Sequence, residues 1–290
     1  MPVNDAIGKR MKDFYESRSQ SKLTRRTPVI VRIDGKSFHT FCKRFKKPYD
    51  KVLNCSLNKV MQGLCENIQG AKFAERHSDE ISILITDYDT ISTDAFFDYE
   101  IQKICSITAS MATAEFCNIL VQEEIKRIES YSKVVNSEEE LKKRTEFQEE
   151  FSRPYLSHDE RWPTFDSRCF NIPESEIENY FWWRMLDAKR GSINMFAQSN
   201  FSHKELQGLS CDQMQEKLWQ EKGLNWGTLP QGQKIGYICK KVISEKKIEV
   251  GPKSGQTTFR SSWVVEGSPS SRTELSKIMG SIELTKKEEE

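Results

Sequence analysis

The chain has 290 residues, enough for one large or two smaller domains with a sizeable core. Its 44 basic and 43 acidic residues leave a formal charge of +1, so no global basic field marks a nucleic-acid binder and any electrostatic footprint has to be local. Mean hydropathy is −0.66 and no apolar run approaches the ~20 residues that a bilayer span needs, which predicts a soluble protein with no membrane partner.

Residues 3–18 carry Ile7, Met11 and Phe14 at helical spacing and predict a polar amphipathic helix, followed by a basic loop at 22–26. Residues 28–34 form an apolar run that stops at Asp34-Gly35, the pattern of a buried strand delivering a carboxylate to its exposed end. Between 49 and 68, Leu53, Leu57, Val60, Met61, Leu64 and Ile68 recur at helical spacing. Two strands at about 71–77 and 80–86 form a hairpin that turns through His77-Ser78-Asp79. Residues 94–120 predict a helix rich in small side chains. The mixed charges of 121–160 predict an extended, solvated helical hairpin inserted before a strand at 164–172. The order β-α-β-β-α-β is that of the ferredoxin-like fold, an antiparallel sheet with helices on one face.

Beyond Pro173, a helix through Tyr180, Trp183 and Asp187 is expected to end near Gly191, with a short helix following at about 192–201. Ser210 is placed to cap a further helix that Gly223 terminates. Strand-like runs at 235–243, 246–250 and 257–265 predict a small antiparallel appendage. The expected class is therefore α+β in three parts: 1–172 with the insertion at 121–160, a helical region at 173–245, and a β appendage with its tail at 246–290. Trp162, Trp182 and Trp183 are expected in the core. The eight cysteines make no CxxC pair and no zinc spacing, so reduced thiols in a cytoplasmic protein are expected.

If the strands pair side by side, Asp34 and Asp79 come together with few cations nearby. Two such carboxylates ionise together cheaply only with a divalent metal between them. Asp79 rather than Glu80 is assigned to the side of Asp34, because Glu80 opens the strand of Ile81, Ile83 and Ile85 with opposite parity. An all-oxygen site with few protein ligands suits Mg²⁺, and a two-ion arrangement would stabilise an attacking hydroxyl and a leaving group. Gly35 lets the backbone turn so that its carbonyl can join Asp34. The amides of Gly35, Lys36, Ser37, Phe38 and His39 form a loop suited to a triphosphate. Lys43, Arg44, Lys46 and Lys47 crowd the segment before Pro48, either as a solvated loop or as neutralisers of phosphate. Arg32 needs a partner, either Glu75 or Asp79 within the protein or a phosphate from outside. His39 and His77 read as loop or packing histidines.

The segments Val31-Arg32-Ile33-Asp34-Gly35-Lys36-Ser37-Phe38-His39, Lys47-Pro48-Tyr49-Asp50 and His77-Ser78-Asp79-Glu80-Ile81-Ser82 resemble the tRNA-His guanylyltransferase family and its Thg1-like relatives, the 3′-5′ RNA polymerases. The likeness continues through Phe165-Asp166-Ser167-Arg168, Trp183-Arg184-Met185-Leu186-Asp187-Ala188 and Ser192-Ile193-Asn194, over about residues 5–240. It implies a polymerase-like palm with two Mg²⁺ ions on Asp34, the Gly35 carbonyl and Asp79. It implies that the 35–39 loop, Ser78 and Lys47 hold ATP, GTP or another nucleoside triphosphate, with Arg32 close to the activated end. The implied reaction adds a nucleotide to an RNA 5′ end, with ATP first activating a 5′-monophosphate, and the implied assembly is a homotetramer acting on tRNA. Guanosine-adding members carry His-Ile-Asn-Asn-Leu-Tyr-Asn where this chain has Ser192-Ile193-Asn194-Met195-Phe196-Ala197-Gln198. That departure favours the Thg1-like branch, which repairs 5′-truncated tRNA. Two other readings stay open: a palm-type nucleotidyl cyclase, whose Gly-Gly-Asp-Glu-Phe turn is missing here, and a non-catalytic tRNA-binding protein.

Overall fold

The computed structural model describes residues 5–135, 162–247, 257–282 and 284. Its α-helices are α1 (Ala6–Met11), α2 (Phe38–Phe41), α3 (Lys51–Asn67), α4 (Ile101–Val135), α5 (Glu174–Gln198), α6 (His203–Leu206), α7 (Cys211–Lys222), α8 (Gln231–Ile235) and α9 (Arg272–Gly280). The strands are β1 (Val29–Gly35), β2 (Ala71–His77), β3 (Glu80–Ile85), β4 (Phe165–Asn171), β5 (Tyr237–Lys247) and β6 (Thr257–Gly267). They form one sheet in the order β4-β1-β3-β2-β5-β6, antiparallel throughout. The first four positions are the expected ferredoxin-like arrangement.

The last two strands depart from expectation. Rather than forming a separate appendage, β5 pairs with β2 and β6 with β5, and β5 runs unbroken from the first expected run into the second as far as Lys247, with 248–250 outside the described residues. The outer edge of β2 would otherwise present unpaired backbone beside the buried Phe73 and Ala74. Ile238 and Cys239 of β5 close that edge and are themselves fully buried.

Val29, Ile30 and Val31 are buried consecutively, so this sheet is covered on both faces rather than one. On one face Val31, Ile33, Ile81 and Ile83 pack against Leu57, Val60 and Leu64 of α3 and Ile104, Ala112 and Phe116 of α4. On the other, Ile30, Phe73 and Leu84 meet Ile177, Phe181 and Met185 of α5 and Leu275 of α9. A satellite cluster of Ile193, Phe196, Leu206, Met214 and Leu218 ties the end of α5 to α6 and α7.

Gly191 does not end α5. Ser192 and Ile193 beside it are buried, the Ser192 hydroxyl donates to the Lys234 carbonyl at 2.7 Å, and this docking outweighs the ~1 kcal/mol cost of a helical glycine. The cap of α7 is as expected: Ser210 and Gln213 form a capping box, and Gly223 terminates the helix at φ 64°. Helical turns fill most of the N-terminal segment, but Ile7, Met11 and Phe14 are all exposed.

Helix α4 corrects two expectations. Residues 121–135 of the expected hairpin are the end of this helix, and 136–161 lie outside the described residues. Its Ile101–Lys126 stretch, with mean hydropathy 1.5, is long and apolar enough to cross a membrane by length and composition. Ile104, Ala112, Phe116 and Leu120 are buried on the sheet, whereas Ile107, Val121, Ile125 and Ile128 are exposed.

Glu115 of α4 rests against Gly63 of α3, where a Cβ would lie 2.0 Å from its Oε1. Burial, and then the charge of Glu66, push its carboxyl up to about 7. A folded-state value above the unfolded one gives stability that is complete below the ordinary carboxylate range and lost as pH rises through about 7. We expect the Tm to fall between about pH 5 and about pH 8 by less in Glu115→Gln than in wild type, read by thermal melts.

Candidate active site

β1 ends at Asp34 and Gly35, and the β2–β3 turn brings Ser78 and Asp79 to the same end of the sheet. Ser78 sits in the left-handed region at φ 51°, which costs a residue with a Cβ ~1–2 kcal/mol. Arg76 holds it there. This fully buried guanidinium donates from Nη1 to the Ser78 carbonyl at 2.5 Å, from Nε to Asn58 Oδ1 at 2.9 Å and from Nη2 to Asn54 Oδ1 at 3.2 Å. Its far side lies over the Tyr237 ring, 4.8 Å from the centroid.

The turn carries Asp79 across the end of β1. A Cβ on Gly35 would lie 2.3 Å from the buried Phe38 ring and 2.7 Å from Asp79 Oδ2, so glycine gives both side chains room at the end of β1. The Ser78 hydroxyl donates to Asp79 Oδ1 at 2.8 Å. Burial first, and the neighbouring Asp34 charge in addition, hold the Asp79 carboxyl above the usual range. The two carboxylates therefore come to the same end of the sheet within electrostatic reach of each other, but by a different route from simple alternation. Ile33 opposite Ile81 puts Glu80 on the face of Asp34, and Asp79 reaches over from the opposite face.

Glu80 is the residue that sequence reasoning passed over. It is buried and pairs with Arg32 and with Arg184 of α5, Arg184 Nε to Oε1 at 2.7 Å and Nη2 to Oε2 at 3.0 Å. The partner of Arg32 is thus neither Glu75 nor Asp79. The available signal was parity: Arg32 and Glu80 share a face once Arg32 is set opposite Ser82. His77 is a half-buried packing link, with Nδ1 3.4 Å from Glu75 and Nε2 3.1 Å from Arg184. Burial pushes its imidazole down, but Glu75 outweighs that and the net shift is upward. His39 is exposed beside Thr40.

A cavity of about 370 Å³ opens beside Asp79, walled by His39, Lys47, Asp50 and Asn54, with Met195 of α5 and Gln233 of α8 closing the far side. Asp50 caps α3 through Leu53 N–H at 2.9 Å and accepts from Lys46 N–H at 3.1 Å, which fixes the bend that presents Lys47. Lys46 and Lys47 line the cavity, whereas Arg44 donates to the Phe41 carbonyl at 3.1 Å and lies over the Phe41 ring. Cys42 also lines it, but burial and Asp79 push its thiol to about 12, so it is no nucleophile.

The 35–39 loop needs one correction. The Lys36 amide donates to the Thr164 carbonyl at 2.8 Å and is spent on holding the loop to β4. Ser37, at φ 56°, opens α2, and its carbonyl accepts from the Thr40 and Phe41 amides at 3.0 and 3.4 Å, which leaves the Phe38 and His39 amides at the helix start for a ligand. The Phe38 side chain is core, packed on Phe41, Phe116 and Phe165. Trp162 and Trp183, expected in the core, are 57% and 47% exposed, and Trp182 is partly buried.

Among the described residues no three His, Cys, Asp or Glu side chains are grouped to hold a metal. Two half-buried carboxylates at one end of the sheet, and a glycine that admits close approach, instead fit a hard cation that completes its shell with backbone, substrate and water oxygens.

The family model described as tRNAHis guanylyltransferase matches residues 8–173, more than half of the chain. The chain belongs to the tRNA-His guanylyltransferase family. This is a family of nucleotidyltransferases, which sets the cyclase reading aside. A bacterial tRNA(His) guanylyltransferase (Thg1)-like protein in complex with ATP superposes with a TM-score of 0.73 at 35% identity, covering 96% of this chain and 100% of that one. One in complex with GTP gives 0.70 at 35% identity, covering 95% and 98%. The probable tRNA(His) guanylyltransferase of Dictyostelium discoideum is 27% identical over 242 residues, 77% of this chain and 79% of that protein.

Proposed function

We propose that this protein is a Mg²⁺-dependent 3′-5′ nucleotidyltransferase that adds nucleotides to the 5′ end of tRNA or tRNA-like RNA after ATP activates that end. The carrying observation is that Asp79, which lines a nucleotide-sized cavity, rests against Gly35 at the end of β1 and feels the charge of Asp34. Relatives that share 35% identity over nearly the whole chain bind ATP and GTP, which supports a triphosphate here.

Asp34, the Gly35 carbonyl and Asp79 would hold two Mg²⁺ ions, which when bound supply charge stabilisation to the attacking and leaving oxygens. The protein does the rest by binding and orientation. Lys47, Ser78 and the opening turn of α2 engage the triphosphate, and the cavity behind them takes the nucleoside. Arg32, held by Glu80, presents its charge beside Asp34 toward the activated RNA end.

Ser192 is anchored to Lys234 and Trp226, while Met195 lines the cavity, so the divergent 192–198 block shapes the wall that meets the nucleoside. This supports 5′-end repair over strict guanosine addition to tRNA-His. The test incubates the purified protein with 5′-monophosphorylated tRNA, intact or lacking its first nucleotide, with ATP and each of the four nucleotides. Extension of the truncated tRNA to restore complementarity is expected. Guanosine added only to intact tRNA-His would refute the repair reading, and no incorporation would refute the activity. The exposed side chains Ile107, Val121 and Ile125 support self-association, and sedimentation of the free protein tests whether it is the homotetramer that the family likeness implies.

A further inference from the structure

Helix α5 covers the sheet over β1, β3 and β2, but it stops short of the edge strand β4, whose Asp166, Arg168 and Phe170 are exposed on that side. The register makes this shelf a ladder. Asp34 lies opposite Asp166, Arg32 opposite Arg168 and Ile30 opposite Phe170. Two consecutive rungs therefore set like charges directly across from each other, which destabilises a sheet that has no ligand. Among the described residues each arginine pairs with one carboxylate, Glu80 for Arg32 and Asp166 for Arg168 at 3.3 Å, and both arginines stay partly exposed. The next rung is aromatic. Phe170 meets Tyr180 and Tyr180 meets Trp183, both at 5.9 Å between ring centroids, and the Arg184 guanidinium lies 4.4 Å from the Trp183 centroid. Phe170 is 36% exposed and Trp183 47%.

Rungs on one face are two residues apart, ~6.6 Å, short enough for one nucleotide to set its phosphate on one rung and its base on the next. Arginine pairs suit phosphate oxygens and exposed aromatic rings suit unpaired bases. We propose that this shelf is the binding surface for the end of the RNA strand: Arg32 and Arg168 grip the 5′-terminal phosphate beside the carboxylates, and Phe170 with Trp183 takes the terminal base. This assignment rests on the nucleotidyltransferase reading for the direction of the strand, and it adds Arg168, Phe170 and Trp183 as determinants of RNA-end recognition. A duplex end has to open by one nucleotide to use it, so the shelf selects a frayed or unpaired 5′ end.

The test is binding, independent of turnover. Short single-stranded RNAs labelled at the 3′ end, with a 5′-phosphate or a 5′-hydroxyl, are titrated into the full-length protein and followed by anisotropy. Wild type is expected to favour the phosphorylated strand. Arg168→Gln should remove that preference and lower the salt slope by about 0.7, while Arg168→Lys retains most of it. Phe170→Ala and Trp183→Ala should each weaken both strands by roughly 10-fold and leave ATP binding unchanged. All of these side chains are substantially exposed, so the fold survives their removal. Wild type indifferent to the phosphate, Arg168→Gln with its preference intact, or aromatic variants that bind as wild type would each overturn the proposal. If wild type prefers the phosphorylated strand but never incorporates a nucleotide, the shelf stands and the activity reading fails.

Discussion

Asp79→Asn is expected to lower nucleotide addition by at least about 10³-fold, equivalent to roughly 4 kcal/mol of transition-state stabilisation. The amide keeps the shape of the side chain and can still accept from the Ser78 hydroxyl, but it lacks the charge that a shared cation needs. Asp34→Asn should behave alike. The metal-free Asp79→Asn protein should be no less stable than wild type, because burial, and the charge of Asp34 in addition, already disfavour the ionised form of Asp79. Melts with and without Mg²⁺ and nucleotide check this: wild type should gain stability from the pair and the variants should not. Turnover within tenfold of wild type in either variant would remove the two-carboxylate site from the mechanism.

Arg184→Met should be the most destabilising single change near the site. Arg184 is 3% exposed, donates from Nη2 to Glu80 Oε2 at 3.0 Å and keeps Nε in ion-pair contact with Oε1 at 2.7 Å, with Asp187 3.2 Å away. Its loss leaves the buried Glu80 with Arg32 alone, and removing one partner of a buried pair costs about 3–5 kcal/mol. For a chain of this size that corresponds to a fall in Tm of roughly 10 °C. Arg184→Met combined with Glu80→Gln should recover at least half of the loss, since the uncompensated charge is then gone. A single variant that melts within about 2 °C of wild type would show that the pair does not hold α5 to β3. Activity should fall further than stability explains, because Glu80 also orients Arg32 beside Asp34.

Much of the palm could be read directly from the chain. Periodicity placed α3 and β1, the Asp-Gly stop marked the end of β1, and the Ser210 and Gly223 signals bounded α7 because caps are made by neighbours in sequence. The pairing of Asp34 with Asp79 was anticipated, since a hairpin beside β1 has few ways to present its turn. What neighbours could not convey was how each side chain would be partnered across the sheet. Strict alternation predicted the wrong carboxylate on the face of Asp34, because the left-handed Ser78, pinned by Arg76 from beneath, carries Asp79 over Gly35. Gly191 looked like a stop, yet the burial of Ser192 and Ile193 against distant segments outweighed its local preference.

The amino-acid sequence alone determined the element order, the two acidic blocks and the family likeness, all of which depend on short-range spacing. The tertiary structure decided that β5 and β6 extend the sheet, that Glu80 belongs to Arg32 and Arg184, and that Trp183 stands exposed beside Phe170. Those outcomes turn on register and on burial between residues far apart in the chain, where competing partners differ by only a few kcal/mol and local pattern carries no information about which one wins.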